Sequence, residues 1–349
     1  MFFMTPILTH KKNKVNHFFY YYQFLLKIIP VDFHIEICYS FYMLSEKVIF
    51  VFPGQGSQSI GMGADLAQNF AIAKQVFEEV DETLHQNLST LMFSGDFETL
   101  TETQNAQPAI MAVSIAVFRV LQSLGFKMPA AVAGHSLGEY SALCAAGVLS
   151  LAETTRLLRL RGSAMAAACT QEKGGMLALI GATPEQAKEI AEQANCYVAN
   201  DNAPGQIVLS GNLKTLEKAQ SLAEKMSIKR AIPLAVMGAF HSPLMDSAAN
   251  EMTVALQQTH FSTPQIPVYF NVTANIGNDV NEYARLLTQQ ITHPVRWCEL
   301  IRNTQGSTFI ECGPGEVLSG LIKRILPEVE IKHANTSENI YKLLEGKKC

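Results

Sequence analysis

The chain has 349 residues, 48% hydrophobic and 17% charged, with a formal net charge of −4 at pH 7. That length can bury a large core and fits two domains, or one domain carrying an insertion. The mild acidity gives no electrostatic reason to expect nucleic acid. Seven scattered cysteines, with no Cys-x-x-Cys and no Cys/His cluster, indicate neither a disulfide framework nor a structural zinc site; reduced thiols in a cytosolic protein fit best.

Residues 1–42 differ from the rest. They hold twelve of the thirty aromatics and show no steady helical or strand period. The apolar stretch from Phe18 to Ile29 is broken by Gln23 and Lys27 and is too short to span a bilayer. A secretory signal would need a cleaner apolar block and small residues at a cleavage site. The segment is read as an upstream extension outside the folded domain, or a misassigned start, with Met43 leading into the first core strand.

From Lys47 the pattern is strand, glycine-rich loop, helix. Residues 48–52 form an apolar run before Pro53-Gly54-Gln55-Gly56-Ser57-Gln58, and helices are predicted over 65–84 and 107–124. The second is apolar nearly all round, the mark of a buried helix. Ala131-Val132-Ala133 then enters Gly134-His135-Ser136-Leu137-Gly138, with helices predicted over 137–144 and 151–168. Strand alternating with helix argues for a mostly parallel sheet covered on both faces.

Between Gly174 and Pro233 the order changes. Strand 176–180 precedes a helix that opens with Thr183 as N-cap and Pro184 at its first position and runs to Ala194. Residues 197–200 and 207–210 read as a hairpin across Ala203-Pro204-Gly205, followed by helix 213–226 and strand 229–233. The order β-α-β-β-α-β is the ferredoxin-like plan. It reads as an insertion, because the first rhythm returns after Ser242, with later strands at 268–271, 308–311 and 331–334. The expected organisation is a large subdomain from residues 43–173 and 238–336, a small one from 174–237, and a C-terminal helix or tail over 337–349.

Gly-x-Ser-x-Gly between an apolar strand and a helix rich in small residues is the pattern of a nucleophile elbow, a tight turn that pushes one serine into an exposed, strained position. Ser136 is therefore the candidate nucleophile. A serine hydroxyl needs a base within hydrogen-bond reach. His135 is its neighbour, but adjacent side chains on a strained turn point different ways, so His135 supports the loop. His241, in Gly238-Ala239-Phe240-His241-Ser242-Pro243, follows the insertion on a loop between domains, where a base would face a cleft; the bland alternative is a satisfied loop histidine. An oxyanion formed at the serine needs two aimed donors. The N–H of Leu137 supplies one, and the Gly54-Gln55-Gly56 loop is the natural source of the second. That loop could also cradle a phosphate, but it lacks the Lys-Ser/Thr of a P-loop and the full dinucleotide fingerprint.

Phe52-Pro53-Gly54-Gln55-Gly56-Ser57-Gln58, Gly134-His135-Ser136-Leu137-Gly138-Glu139, Arg161-Gly162, Gly238-Ala239-Phe240-His241-Ser242-Pro243 and Glu311-Cys312-Gly313-Pro314-Gly315 occur in one order. Together, over roughly residues 46–325, they resemble the malonyl-CoA:acyl carrier protein transacylases of fatty acid synthesis. The resemblance implies an α/β fold with an α/β-hydrolase-like large subdomain and a ferredoxin-like small one. It implies acylation at Ser136, His241 as base, and Gln55 as the second oxyanion N–H. By the same likeness Arg161 binds the malonyl carboxylate, the backbone carbonyl of Gln290 orients His241, and Phe240 narrows the pocket against branched acyl groups. Read from residue type alone, Arg161 could equally be an ordinary surface ion pair.

No acidic residue is placed to complete a Ser-His-Asp triad, and a thioester is reactive enough for a dyad held by a main-chain carbonyl. The resemblance further implies a ping-pong transfer from malonyl-CoA to the phosphopantetheine thiol of acyl carrier protein, with no metal, cofactor, nucleic acid or membrane, in the cytoplasm. Nothing in the sequence demands more than a monomer. Lys214, Lys218, Lys225, Lys229, Arg230, Lys323 and Arg324 are candidates to meet an acidic carrier, although a solvated face explains them as well. The rivals are a serine thioesterase or esterase on the same elbow, a free-standing acyltransferase for polyketide synthesis, and a non-enzymatic adaptor.

Overall fold

A computed structural model of the chain describes residues 47–345. The expectations for residues 1–42 and for the last four residues lie outside this range. The described residues form a mixed α/β structure with two sheets. In chain order the strands are β1 (Val48–Phe52), β2 (Ala131–Gly134), β3 (Gly174–Ile180), β4 (Tyr197–Ala203), β5 (Gln206–Asn212), β6 (Arg230–Pro233), β7 (Val268–Tyr269), β8 (Thr308–Cys312) and β9 (Glu330–Ala334).

The first sheet has the order β7-β2-β1-β8-β9, with every pairing parallel. Its centre, Val-Ile-Phe-Val-Phe, is the continuous apolar run expected of a strand buried on both sides. The period of two divides that run between two cores. Phe50 and Phe52 pack with helices Thr103–Ser123 and Leu151–Gln171, whereas Ile49 and Val51 pack with Trp297–Thr304 and Val317–Ile325. Among the described residues only Thr103–Ser123 is long and apolar enough to cross a membrane, and 83% of its apolar window is buried inside the fold. It is a core helix.

The second sheet is antiparallel with the order β4-β5-β3-β6. Leu177, Leu179, Ile207 and Leu209 face helices Pro184–Ala194 and Leu213–Lys225. Alternating positions Met176, Ala178 and Val208 turn the other way and join the core of the parallel sheet. Thr183 and Gln186 form the capping box at the first of those helices, with Pro184 at its start. A backbone bridge between Asn200 and Val295 ties β4 to the loop that follows helix Tyr283–Thr292.

Two elements differ from the sequence reading in ways that have an identifiable cause. The single helix expected over 65–84 is two, Ala64–Asn69 and Ala71–Leu84, because Phe70 adopts an extended backbone. Asn69 closes the first piece by bonding the backbone oxygen and carboxylate of Asp65, and the Phe70 ring packs against Tyr341 at 5.6 Å. β7 ends at Tyr269 rather than at Asn271, whose polar groups are spent elsewhere, as described below.

Candidate active site

The loops at the carboxyl ends of β1, β2, β7 and β8 gather on one edge of the parallel sheet, where ligands of open α/β sheets bind. β2 runs directly into the elbow. Ser136 has a φ of 54°, a left-handed conformation that serine adopts at a cost, and helix Gly138–Ala145 starts two residues later. The turn is this tight only because both flanking residues lack a Cβ. One on Gly134 would collide with the Gly138 carbonyl, and one on Gly138 with Phe52 O. The placement of the half-buried hydroxyl at the cleft is a consequence of that close approach of strand, elbow and helix.

His241 reaches the same point from the loop after β6, itself with a left-handed φ of 57°. Its Nε2 lies 2.8 Å from Ser136 Oγ, and its Nδ1 lies 2.8 Å from the backbone carbonyl of Gln290. A carbonyl only accepts, so Nδ1 carries the proton and Nε2 presents a lone pair to the serine. The ring is buried, and its pKa is pushed down to about 3, first by burial and then by the nearby Arg161 charge. In the free protein the imidazole is therefore neutral at pH 7, the form that can accept a proton.

Arg161 is not a surface ion pair. It is 1% exposed, in the middle of helix Leu151–Gln171, and belongs to no salt bridge among the described residues. Nη1 donates to Gln107 Oε1 at 2.7 Å, and Nη2 donates to Gln290 Oε1 at 2.9 Å and Ser136 Oγ at 3.2 Å. The guanidinium lies over the Tyr140 ring, 5.8 Å from its centroid. Burial alone pulls its pKa down, yet an arginine stays charged under such conditions. Its nearest acidic neighbour, Glu139, is fully buried, and burial raises that carboxyl to about 8. No carboxylate among the described residues lies within ion-pair distance of the guanidinium.

A cavity of about 210 Å³ opens onto these groups, lined among others by Gln55, Leu137, Phe240, Asn200 and Asn202. The backbone N–H groups of Leu137 and Gln55 donate to no other described residue. The Gln55 side chain is turned away to Thr103 Oγ1 at 3.3 Å. His135 is bonded elsewhere than to Ser136 Oγ, its ring 5.4 Å from that of Trp297 and its Nε2 2.8 Å from Asn202 Oδ1. Burial lowers its pKa, so it is a neutral strut between the elbow and β4. The structure therefore brings Ser136, His241, Arg161, Gln290, Gln55, Leu137 and Phe240 to one cleft.

Sequence reasoning passed over three polar residues at this cleft and its base. Gln107, buried in the core helix, accepts from Arg161; a polar residue leading into the apolar stretch of that helix was the available signal. Asn271 accepts the Ser136 N–H through its side chain. Asn202 anchors His135. The last two gave no local signal, since their partners lie 135 and 67 positions away. Among the described residues no group of three His, Cys, Asp or Glu side chains could hold a metal ion.

Residues 49–338 match the acyl transferase domain model. The chain is 44% identical over 287 residues to the malonyl CoA-acyl carrier protein transacylase of Bacillus subtilis, covering 80% of this chain and 90% of that protein. The chain belongs to the malonyl CoA-acyl carrier protein transacylase family. This acyl transferase also superposes on the acyl-carrier-protein S-malonyltransferase of Bartonella henselae with a TM-score of 0.83 and 46% identity, over 86% of this chain and 98% of the other. A malonyl-transacylase solved in complex with its holo type II PKS acyl-carrier protein matches with a TM-score of 0.83 and 38% identity, over 86% of this chain and all of that one.

Proposed function

We propose that this acyl transferase moves the malonyl group of malonyl-CoA to the phosphopantetheine thiol of acyl carrier protein, through a malonyl-serine intermediate, in type II fatty acid synthesis in the cytoplasm. One observation carries the reading: a buried arginine with no acidic partner stands 3.2 Å from the nucleophile. Burying an unpaired charge costs several kcal/mol, which an anionic acyl group recovers and a neutral one does not.

His241 Nε2 takes the Ser136 proton as Oγ attacks the thioester carbonyl. The oxyanion is held by the N–H groups of Leu137 and Gln55. Collapse breaks the C–S bond, and the CoA sulfur leaves with the proton from His241. The pantetheine thiol then gives its proton to His241 and attacks the ester, and Ser136 regains its proton as the new thioester forms. The Gln290 carbonyl keeps the imidazole in the required tautomer, in place of a carboxylate. A malonyl carboxylate beside Arg161 also offsets part of the field that depresses His241, so the proper substrate strengthens the base. Phe240 closes the pocket to branched chains.

In this reading the parallel sheet and its helices, residues 43–173 and 238–336, are an α/β-hydrolase-like subdomain. Residues 174–237 are an inserted ferredoxin-like one, supported by the strand order β4-β5-β3-β6. No cofactor is required. Basic side chains of helix Leu213–Lys225, with Lys229 and Arg230, offer the carrier a complementary surface.

Intact-mass measurement after mixing with malonyl-CoA tests the reading. The expected result is one malonyl adduct, absent in Ser136→Ala and discharged by holo carrier protein. Rapid and sustained CoA release without an acceptor would identify a thioesterase instead.

A further inference from the structure

We propose that Asn271 and Glu139 are positioning residues that lock Ser136 in its left-handed conformation. The idea takes its acyl donor from the function proposed above and otherwise rests on the hydrogen-bond geometry of the elbow. A serine at φ 54° is held against a preference of order 1–3 kcal/mol, so something must over-determine it.

The Asn271 carboxamide bridges the elbow. Its Oδ1 accepts the Ser136 N–H at 2.8 Å, and its Nδ2 donates to Gly134 O at 2.7 Å. One partner only donates and the other only accepts, which fixes the amide orientation and the residue type. Aspartate has no donor for Gly134 O, and an apolar side chain satisfies neither group. Asn271 is in turn held by its own backbone N–H, which donates to Glu139 Oε2 at 2.5 Å. Glu139 sits in the first turn of the helix that the elbow begins. The end of β2, the exit of β7 and the elbow helix are thus closed into one circuit by three hydrogen bonds.

Asn271 and Glu139 are each 0% exposed, so a broken link leaves a buried polar group without water to replace it. Neither lines the cleft, and both act through Ser136. What they govern is the direction of Oγ toward His241 and of the Leu137 N–H toward the oxyanion. A misplacement of about 1 Å at such a site costs roughly 10²-fold in rate. Glu139 enters the circuit as an acceptor, through Oε2.

The test is single-turnover acylation by malonyl-CoA, resolving the maximal rate from the half-saturating concentration. Labelling with a fluorophosphonate runs in parallel, as a serine probe indifferent to the acyl group. Asn271→Ala should lower the maximal rate roughly 10²-fold while the half-saturating concentration stays nearly constant, and should slow fluorophosphonate labelling as well. Asn271→Asp should recover rate as the pH falls, because the protonated acid regains a donor for Gly134 O. Glu139→Gln should restore most of the rate lost in Glu139→Ala. A folded Asn271→Ala with parental rates overturns the proposal. Should that variant fail to fold, an Asn271→Asp protein with parental rates at every pH overturns it equally. If the parent takes the fluorophosphonate but not malonyl, the proposed acyl donor is wrong, and the Asn271 comparison is then decided by the probe.

Discussion

Arg161 Nη2 stands 3.2 Å from Ser136 Oγ, so a fixed positive charge and the nucleophile address the same small volume. Gln290 joins the two. Its side-chain oxygen accepts from Arg161, its side-chain nitrogen donates to Ser136 O, and its backbone oxygen holds His241. Selectivity and chemistry therefore share one polar network.

Replacing Arg161 by Ala should reduce kcat/KM for malonyl transfer by roughly 10²-fold or more, as expected for losing one partner of a desolvated charge pair worth about 3 kcal/mol. Acetyl transfer, which presents no carboxylate, should change far less. Parallel assays with malonyl-CoA and acetyl-CoA measure the ratio, and equal losses would remove the selectivity role.

The pH profile of acylation should report His241. Burial and the Arg161 charge both favour the neutral ring, holding its pKa near 3 against an ordinary value of 6.5. The free protein therefore keeps its base down to acid pH, and the acid limb of kcat/KM should lie well below pH 6.5. Arg161→Met removes the second-largest cause, so its acid limb should move upward. An unmoved limb would show that the guanidinium does not govern the imidazole.

Stability should fall on the alkaline side because of Glu139. Its folded pKa is about 8, against an ordinary 4.5, so between those values the folded state holds the proton and the unfolded state has lost it. Stability from this group is fully present below pH 4.5 and is lost as the pH rises through 8. Thermal unfolding of Glu139→Gln, which cannot ionise, should show a shallower fall in Tm between pH 5 and pH 9 than the parent.

Gly138→Ala should damage both fold and site, since the added methyl meets the main-chain oxygen of Phe52, which no side-chain rearrangement can move. Overpacking of this kind costs about 1–3 kcal/mol. A lowered denaturation midpoint together with lost acylation is expected, and a fully active variant of parental stability would contradict the close approach at the elbow.

Much of this protein is written locally. The run Val48–Phe52 is apolar at every position and becomes the centre of a parallel sheet. The order of elements from Gly174 to Pro233 and the Thr183-Pro184 helix start follow from period and capping chemistry between near neighbours. Ser136 was legible for the same reason: the glycines two positions to either side already dictate a tight turn.

What the sequence could not decide was charge and orientation, which depend on burial and on partners far along the chain. Whether Arg161 faces water or a dry pocket is settled by the packing of helix Leu151–Gln171 against Thr103–Ser123, which brings in Gln107 from 54 positions away. The break at Phe70 needed Tyr341, and the elbow's conformation needed Asn271. Local sequence carries the hydrogen-bonding needs of each element, but a desolvated charge or a strained backbone persists only where distant side chains converge to satisfy it, and that convergence exists only in the folded chain.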